Sequence, residues 1–304
     1  MASRETNMIV KVRADKINPS LAKNITSIHD SIPGLNLITD LDPIFAGGYS
    51  MALLFAPREK NNIGKISSDY FSDFDVYFDT EAKANEAIAR LKDKTSLDIY
   101  ETENATTIMV DQLGNQNTPT PFQIVKKIHG RANDIISTFD FINCAVAFTP
   151  KQESFYMHNK APKFHREKRL ETLNPWMIRQ CLEQNVETED LINQNIIIQL
   201  SRFQKYALRW EYSLSDKSFD TLISVYEKYP NIKTKTNIPY TTVGGPYSGC
   251  SYIAYRNQNI WAALARLFVC HEKWNSYQDK AGVISSCLGL ADIPRDPILT
   301  EVPF

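Results

Sequence analysis

Apolar residues along this chain change spacing near residue 150, from the short runs of strands to the wider intervals of helices. Met8, Ile9, Val10 and Val12 read as a strand, followed by a polar, weakly helical piece up to Pro33. Leu37-Ile38 and Pro43 to Ala46 form an apolar approach to Gly47-Gly48, and Tyr49 to Phe55 reads as the first turns of a buried helix. A polar loop over 57–68 leads to Ser72-Asp73-Phe74-Asp75-Val76-Tyr77-Phe78, which has the character of a buried strand. Glu81 to Lys92, with Ala82, Ala84, Ala87, Ile88 and Leu91, reads as an amphipathic helix. Leu97 to Tyr100, Thr106 to Val110 and Phe122 to Val125 read as strands, with a turn-rich loop at Asn115 to Pro121. Asn133 to Ser137 reads as a helical turn, and Phe139 to Phe148 as one long apolar strand.

Beyond Pro150 the intervals favour helix over 163–183, 187–210, 216–228 and 259–274. The predicted organisation is an N-terminal extension over 1–35, a catalytic α+β domain over 36–155, and a mainly helical C-terminal region over 156–304. In that class a mixed β-sheet carries flanking helices, and the helical region follows it.

Composition narrows the function classes only a little. The 304 residues are 43% hydrophobic and 11% aromatic, enough for a large core, and the formal net charge is -1. Bulk attraction to nucleic acid is therefore excluded, and any such binding must come from a local patch. One candidate patch is Lys160, Lys163, His165, Arg166, Lys168 and Arg169, interrupted by Glu167 and flanked by Phe155, Tyr156 and Phe164. Five cysteines without short paired spacing point to reduced, buried thiols rather than disulfides or zinc. The N-terminus has no apolar signal core and no run reaches membrane-spanning length, so a cytoplasmic protein is expected.

The candidate chemistry starts from Asp73 and Asp75. A strand alternates its faces, so both carboxylates project from the same side, one pleat apart. Like charges held that close repel unless a cation lies between them, and hard oxygen ligands suit magnesium or manganese. Gly47-Gly48 stands between an apolar strand and a helix, where bare backbone amides can approach a phosphate. Asp140, in Phe139-Asp140-Phe141, is expected on a second strand. Three carboxylates on neighbouring strands would hold two metal ions roughly 3.5–4 Å apart.

This order of Gly-Gly turn, Asp-x-Asp strand and later acidic strand resembles the DNA polymerase β-like nucleotidyltransferase superfamily, which includes poly(A) polymerases and tRNA CCA-adding enzymes. Small phage and bacterial members are the nearer likeness, and their Arg-x-x-Lys-Tyr helix is matched by Arg202-Phe203-Gln204-Lys205-Tyr206. The resemblance spans residues 40–215. It implies metal and triphosphate binding by Asp73 and Asp75, with Asp140 on the metal that activates the attacking hydroxyl. It implies phosphate contacts from Gly47, Gly48 and Ser50, and nucleotide contacts from Arg202 and Lys205. The cofactor implied is Mg2+ or Mn2+, the substrate a nucleoside triphosphate (NTP), and the acceptor an RNA 3′ end, with a phage or host protein as a further partner.

Plainer readings stand beside these. Asp73 and Asp75 can cap a turn, Asp140 can pair with Arg131 or Lys127, and Gly47-Gly48 can be an ordinary tight turn. Arg202 and Lys205 can form a solvated helix face, and Ser50 can be a helix-start cap. The rival from another class is a non-catalytic structural or virion-associated protein that keeps the fold.

Overall fold

In the computed structural model the described residues are 9–17, 34–57, 70–71, 73–94, 99–110, 120–183, 189–229, 261, 264, 267–268 and 271–273. They fall into two units, one running through Glu167 and one beginning at Lys168.

The first unit is an eight-stranded mixed sheet. Its strands are β1 (Ile9–Arg13), β2 (Ile44–Ala46), β3 (Phe74–Tyr77), β4 (Ile99–Glu101), β5 (Ala105–Val110), β6 (Thr120–Val125), β7 (Val146–Thr149) and β8 (Ser154–His158). They lie in the order β1-β8-β7-β2-β3-β6-β5-β4. Every pairing is antiparallel except β3 with β6. A parallel pair needs a crossover. Here the chain leaves β3 through helix α2 (Glu81–Lys94) and the hairpin β4–β5 before returning as β6.

One face of the sheet carries the main core. Phe45, Phe74, Val76, Phe78, Phe122 and Phe148 meet Tyr49 and Leu53 of helix α1 (Gly48–Phe55) and the apolar stripe of α2. That stripe is Ala84, Ala87, Ile88 and Leu91, the spacing one helical face requires. Arg90 fastens α2 to the turn before β2, donating to the Leu37 carbonyl at 3.0 Å and to Asp40 at 2.6 Å. The guanidinium holds the Asp40 carboxyl below its ordinary range. The opposite face is covered over β2, β7 and β8 by the short helix α3 (Ala132–Ser137), whose Ile135 and Ile136 are buried. This double cover explains why β7 is buried at every position. Helix α4 (Ala161–Arg166) closes the unit.

The sequence expectation of a mixed sheet with flanking helices followed by a mostly helical region is what the described residues form. Two local expectations differ. Phe139 to Phe148 is not one strand: Asp140 lies in a bend, Ile142 to Cys144 in a turn, and only Val146–Thr149 is strand. Residues 154–158, beyond the predicted sheet, form the interior strand β8, which pairs with both β7 and β1. The strand within 1–35 therefore belongs to the sheet.

The second unit holds the two-residue parallel pair β9 (Arg169–Leu170) and β10 (Ser213–Leu214) with helices α5 (Trp176–Glu183), α6 (Glu189–Trp210) and α7 (Asp216–Lys228). Ser215 caps α7, accepting a hydrogen bond from the Ser218 amide at 3.1 Å. Ser218 in turn donates to the Leu170 carbonyl at 2.7 Å, tying the helix start to β9. From the helix predicted over 259–274, Trp261, Leu264, Leu267 and Phe268 are helical and buried, and the Trp261 indole donates to the Tyr229 carbonyl at 2.9 Å. Cys144 and Cys181 are buried free thiols, and burial pushes the Cys181 thiol up. The other three cysteines, and all of the loop over 57–68 except Pro57, lie outside the described residues. Among the described residues no helix is long and apolar enough to cross a membrane.

Candidate active site

The Gly-Gly turn is built by backbone that only glycine tolerates. Gly47 follows β2 with φ 76° and ψ −133°, a combination essentially closed to residues with a Cβ. Its amide donates to the Val146 carbonyl of β7 at 3.0 Å, and its carbonyl accepts from the Met51 amide at 2.9 Å, opening α1. A Cβ placed on Gly47 would sit 3.3 Å from Asp75 Oδ2 and 3.5 Å from the Phe139 ring. The turn, the second aspartate of the Asp-x-Asp strand and the residue before Asp140 therefore meet at one point. Gly48 is the first residue of α1, and a Cβ there would meet only Phe71 Cβ, at 3.8 Å.

The aspartates project away from the main core, as alternation predicts. Phe74 and Val76 are buried among the core phenylalanines, while Asp73 (one residue before β3) and Asp75 are half-buried. Register places Asp75 in a row that crosses the sheet: Ala147 of β7, Ala46 of β2, Asp75 of β3, Gln123 of β6, Thr107 of β5 and Tyr100 of β4. Ala46 and Ala147 are fully buried, whereas Asp75, Gln123 and Thr107 are half-buried and Tyr100 is exposed. The open face begins at the aspartate.

An aromatic cluster fixes α1 against this strand. Tyr49 packs edge-on against Phe74 at 4.7 Å, Phe71 at 5.3 Å and Phe45 at 5.4 Å. Ser50, expected at a phosphate, is fully buried and donates its hydroxyl to the Phe45 carbonyl at 2.8 Å. That hydroxyl locks the helix start to β2 instead of facing a ligand.

Asp140 does not sit on a strand beside the pair. It follows α3 in the bend described above and is 5% exposed. Among the described residues no three His, Cys, Asp or Glu side chains gather into a metal-ligand group. Of the two cations expected as its partners, Lys127 lies 3.9 Å from Glu103, and the backbone amide of Arg131 starts α3 by donating to Asp134 at 3.2 Å. What reaches the site from this segment is Phe139, whose ring lies by the Gly47 turn and 6.3 Å from the Tyr77 ring.

Arg202 and Lys205 lie three residues apart on α6, in the second unit. Half of the basic patch is structural. Lys168 donates to the Trp210 carbonyl and Arg169 to the Leu214 carbonyl, bracing their own unit. Phe155 is core, and His165 stacks on Phe55 at 4.3 Å. Sequence reasoning missed Gln123 and Thr107. The polar residue in Phe122-Gln123-Ile124 marked an outward position, but only the register puts it next to Asp75.

The residues present fit a magnesium ion that arrives with phosphates. Magnesium is commonly held by one or two carboxylates plus substrate oxygens and water, not by an all-protein cage. Asp73 and Asp75 supply two hard oxygen donors, and the missing Cβ of Gly47 lets the start of α1 come close against Asp75.

Comparison with known proteins adds the following. A family model described as Gabija anti-defense 2 family protein matches residues 19–168, just under half of the 304-residue chain. A search of curated proteins finds no match. Among solved structures, a CCA-adding enzyme with CTP aligns at TM-score 0.48 and 12% identity, over 86% of this chain and 54% of that one. A tRNA-processing enzyme in an apo form aligns at TM-score 0.43 and 12% identity, over 95% and 62%. The Thermotoga maritima CCA-adding enzyme complexed with tRNA aligns at TM-score 0.39 and 14% identity, over 96% and 82%. The chain thus spans between half and two thirds of the first two structures. Its structural neighbours are nucleotidyltransferases of low identity, and its family match is to an anti-defence protein.

Proposed function

We propose that this chain is a magnesium-dependent nucleotidyltransferase, moving a nucleoside monophosphate from an NTP onto a hydroxyl acceptor, with an RNA 3′ end as that acceptor. The observation that carries the reading is the meeting of Gly47, Asp75 and Phe139 at the start of α1. A positive-φ glycine, an acidic strand position and a helix N-terminus are what a polyphosphate and its cation require together.

In this reading Asp73 and Asp75 hold Mg2+ (or Mn2+) jointly with the substrate phosphates. When bound, the cation supplies positive charge to the triphosphate and to the acceptor oxygen. The backbone amides at the first turn of α1 receive the β- and γ-phosphates. Phe139 walls the site opposite Gly47, next to the bend in which Asp140 is buried. Arg202 and Lys205 are assigned to the nucleotide on the strength of the sequence resemblance. A new bond forms between the α-phosphorus and the acceptor oxygen as the bond from the α-phosphorus to the α,β-bridging oxygen breaks; the hydroxyl proton passes to water and pyrophosphate leaves. Positioning is the main contribution the chain makes, since in-line phosphoryl transfer asks little covalent help of protein.

The family match supports a setting in which this activity works against the Gabija defence; a cytoplasmic location and a phage or host macromolecule as partner are part of the same proposal. The test is incubation with Mg2+ and each labelled NTP, with and without RNA. Incorporation and pyrophosphate release are expected, both lost in Asp73→Asn/Asp75→Asn. No turnover with any nucleotide, together with no nucleotide-induced rise in Tm, would sink this reading and leave the non-catalytic one.

A further inference from the structure

Beside Asp75 on the open face of the sheet stands a residue that carries no charge. Gln123 is paired with Asp75 across the parallel β3–β6 junction, where neighbouring strands run about 4.8 Å apart. Its side chain is braced from the far side, Nε2 donating to Thr107 Oγ1 at 3.3 Å. With Asp140 folded into the bend before β7, Gln123 is the polar side chain that register places nearest Asp75 on the neighbouring strand.

We infer that Gln123, braced by Thr107, is the neutral third position of the site, so that its cation is held firmly only together with a triphosphate. The inference rests on the reading given under Proposed function. Asp73 and Asp75 contribute two negative charges and two of the roughly six oxygens a magnesium or manganese ion needs. A carboxylate at Gln123 would add a third charge and complete a site able to hold the ion unaided. An amide adds no charge. With one N–H spent on Thr107, it still offers a second N–H and a carbonyl oxygen to a bound nucleotide. The remaining positions around the ion fall to phosphate oxygens and water. Metal and nucleotide then bind with positive coupling, each raising the affinity of the other by the same factor. Gln123 acts as a positioning and charge-setting residue.

The test uses the full chain, Mn2+ as the metal probe, and a non-hydrolysable NTP analogue. Paramagnetic resonance reads free Mn2+ during titration, and calorimetry reads the analogue. Wild type is expected to bind Mn2+ alone weakly and to bind the analogue at least about tenfold tighter with Mn2+ than without it. Gln123→Glu is expected to tighten binding of Mn2+ alone by at least about tenfold, as a third charge at short range should. Gln123→Asp serves as a second carboxylate variant should the first fail to fold. Wild type binding Mn2+ alone as tightly as the carboxylate variants, or no change in either variant while analogue binding stays Mn2+-dependent, overturns the role of Gln123 alone. Analogue binding that ignores Mn2+ in wild type and is unaltered in Asp73→Asn/Asp75→Asn overturns the site itself.

Discussion

Replacing Gly47 with alanine probes the geometry on which the site depends. The perturbation is one methyl group, and two separate costs attach to it. At φ 76° and ψ −133° an L side chain is strained, which costs about 1–3 kcal/mol for a residue held in such a region. The methyl would also lie 3.3 Å from Asp75 Oδ2, so the carboxylate must give by a few tenths of an ångström, while the Phe139 ring at 3.5 Å stays in ordinary contact. For a protein of this size each kcal/mol lowers Tm by about 2–4 °C, which puts the expected loss at roughly 2–12 °C. Urea denaturation followed by circular dichroism measures the cost, and Gly47→Ala/Asp75→Ala separates its parts. Removing the carboxylate abolishes only the contact, so the double variant should cost less than the two singles added, by about 0.5 kcal/mol or more. Nucleotidyl transfer should fall further than stability does, because the displaced group is the Asp75 carboxylate. A Gly47→Ala protein within about 0.5 kcal/mol of wild type would refute the strained turn, because ordinary surface substitutions fall in that range. Strict additivity with Asp75→Ala would refute the close approach.

Asp73→Asn/Asp75→Asn should abolish nucleotidyl transfer while Tm stays level or rises, since the mutual repulsion of the carboxylates disappears; a marked fall in Tm would assign the pair a structural role. Ser50→Ala should cost about 1–3 kcal/mol in denaturant titration, because the buried Phe45 carbonyl loses its donor. Ser215→Ala should cost about 0.5–2 kcal/mol through the lost cap of α7, with Ser215→Asp recovering most of it. His271 supplies a pH signature in the second unit. It is buried against Phe219, with Asp216, Glu272, Lys273 and Arg169 as the charged groups that act on it. Burial is the largest influence and lowers its pKa below the ordinary 6.5, with the nearby Asp216 carboxylate opposing it. The folded state therefore binds fewer protons than the unfolded one below pH 6.5, and stability must fall as pH drops through that window. His271→Phe should flatten that slope in thermal melts taken at a series of pH values, and an unchanged slope would exonerate the histidine.

Much of the fold was legible because its elements announce themselves locally. The stripe Ala84, Ala87, Ile88 and Leu91 can face a core only as a helix, and alternation at Asp73 to Phe78 sets the aspartates opposite the phenylalanines whatever the tertiary context. Gly47-Gly48 was legible as a turn between strand and helix. What was lost lay in longer-range facts. The run Phe139 to Phe148 looks like one buried strand by composition, yet Asp140 and the fully buried Asn143 interrupt it three residues apart, and the chain turns there. Those two polar residues were the available warning. Strand β8 stands between a proline-led turn and a basic segment, and its partners lie on both sides of it in space but far apart in sequence. Gln123 carries no signal of its own, because its importance comes from standing next to Asp75, which is a property of register.

The pairing of β1 with β8 has a consequence for how this protein is made. Lys11 of β1 and Gln152, just before β8, are hydrogen-bonded across 141 positions of chain. At about 5–20 residues per second, a ribosome needs roughly 7–28 s to synthesise that interval. Through all of it β1 has no sheet to join, and β8 completes its hairpin with β7 only at the end, presenting an open edge. Pairing of the earliest strand of the sheet with its latest then moves the open edge from the buried β8 to β1, whose Lys11 and Arg13 make it a poorer template for other chains.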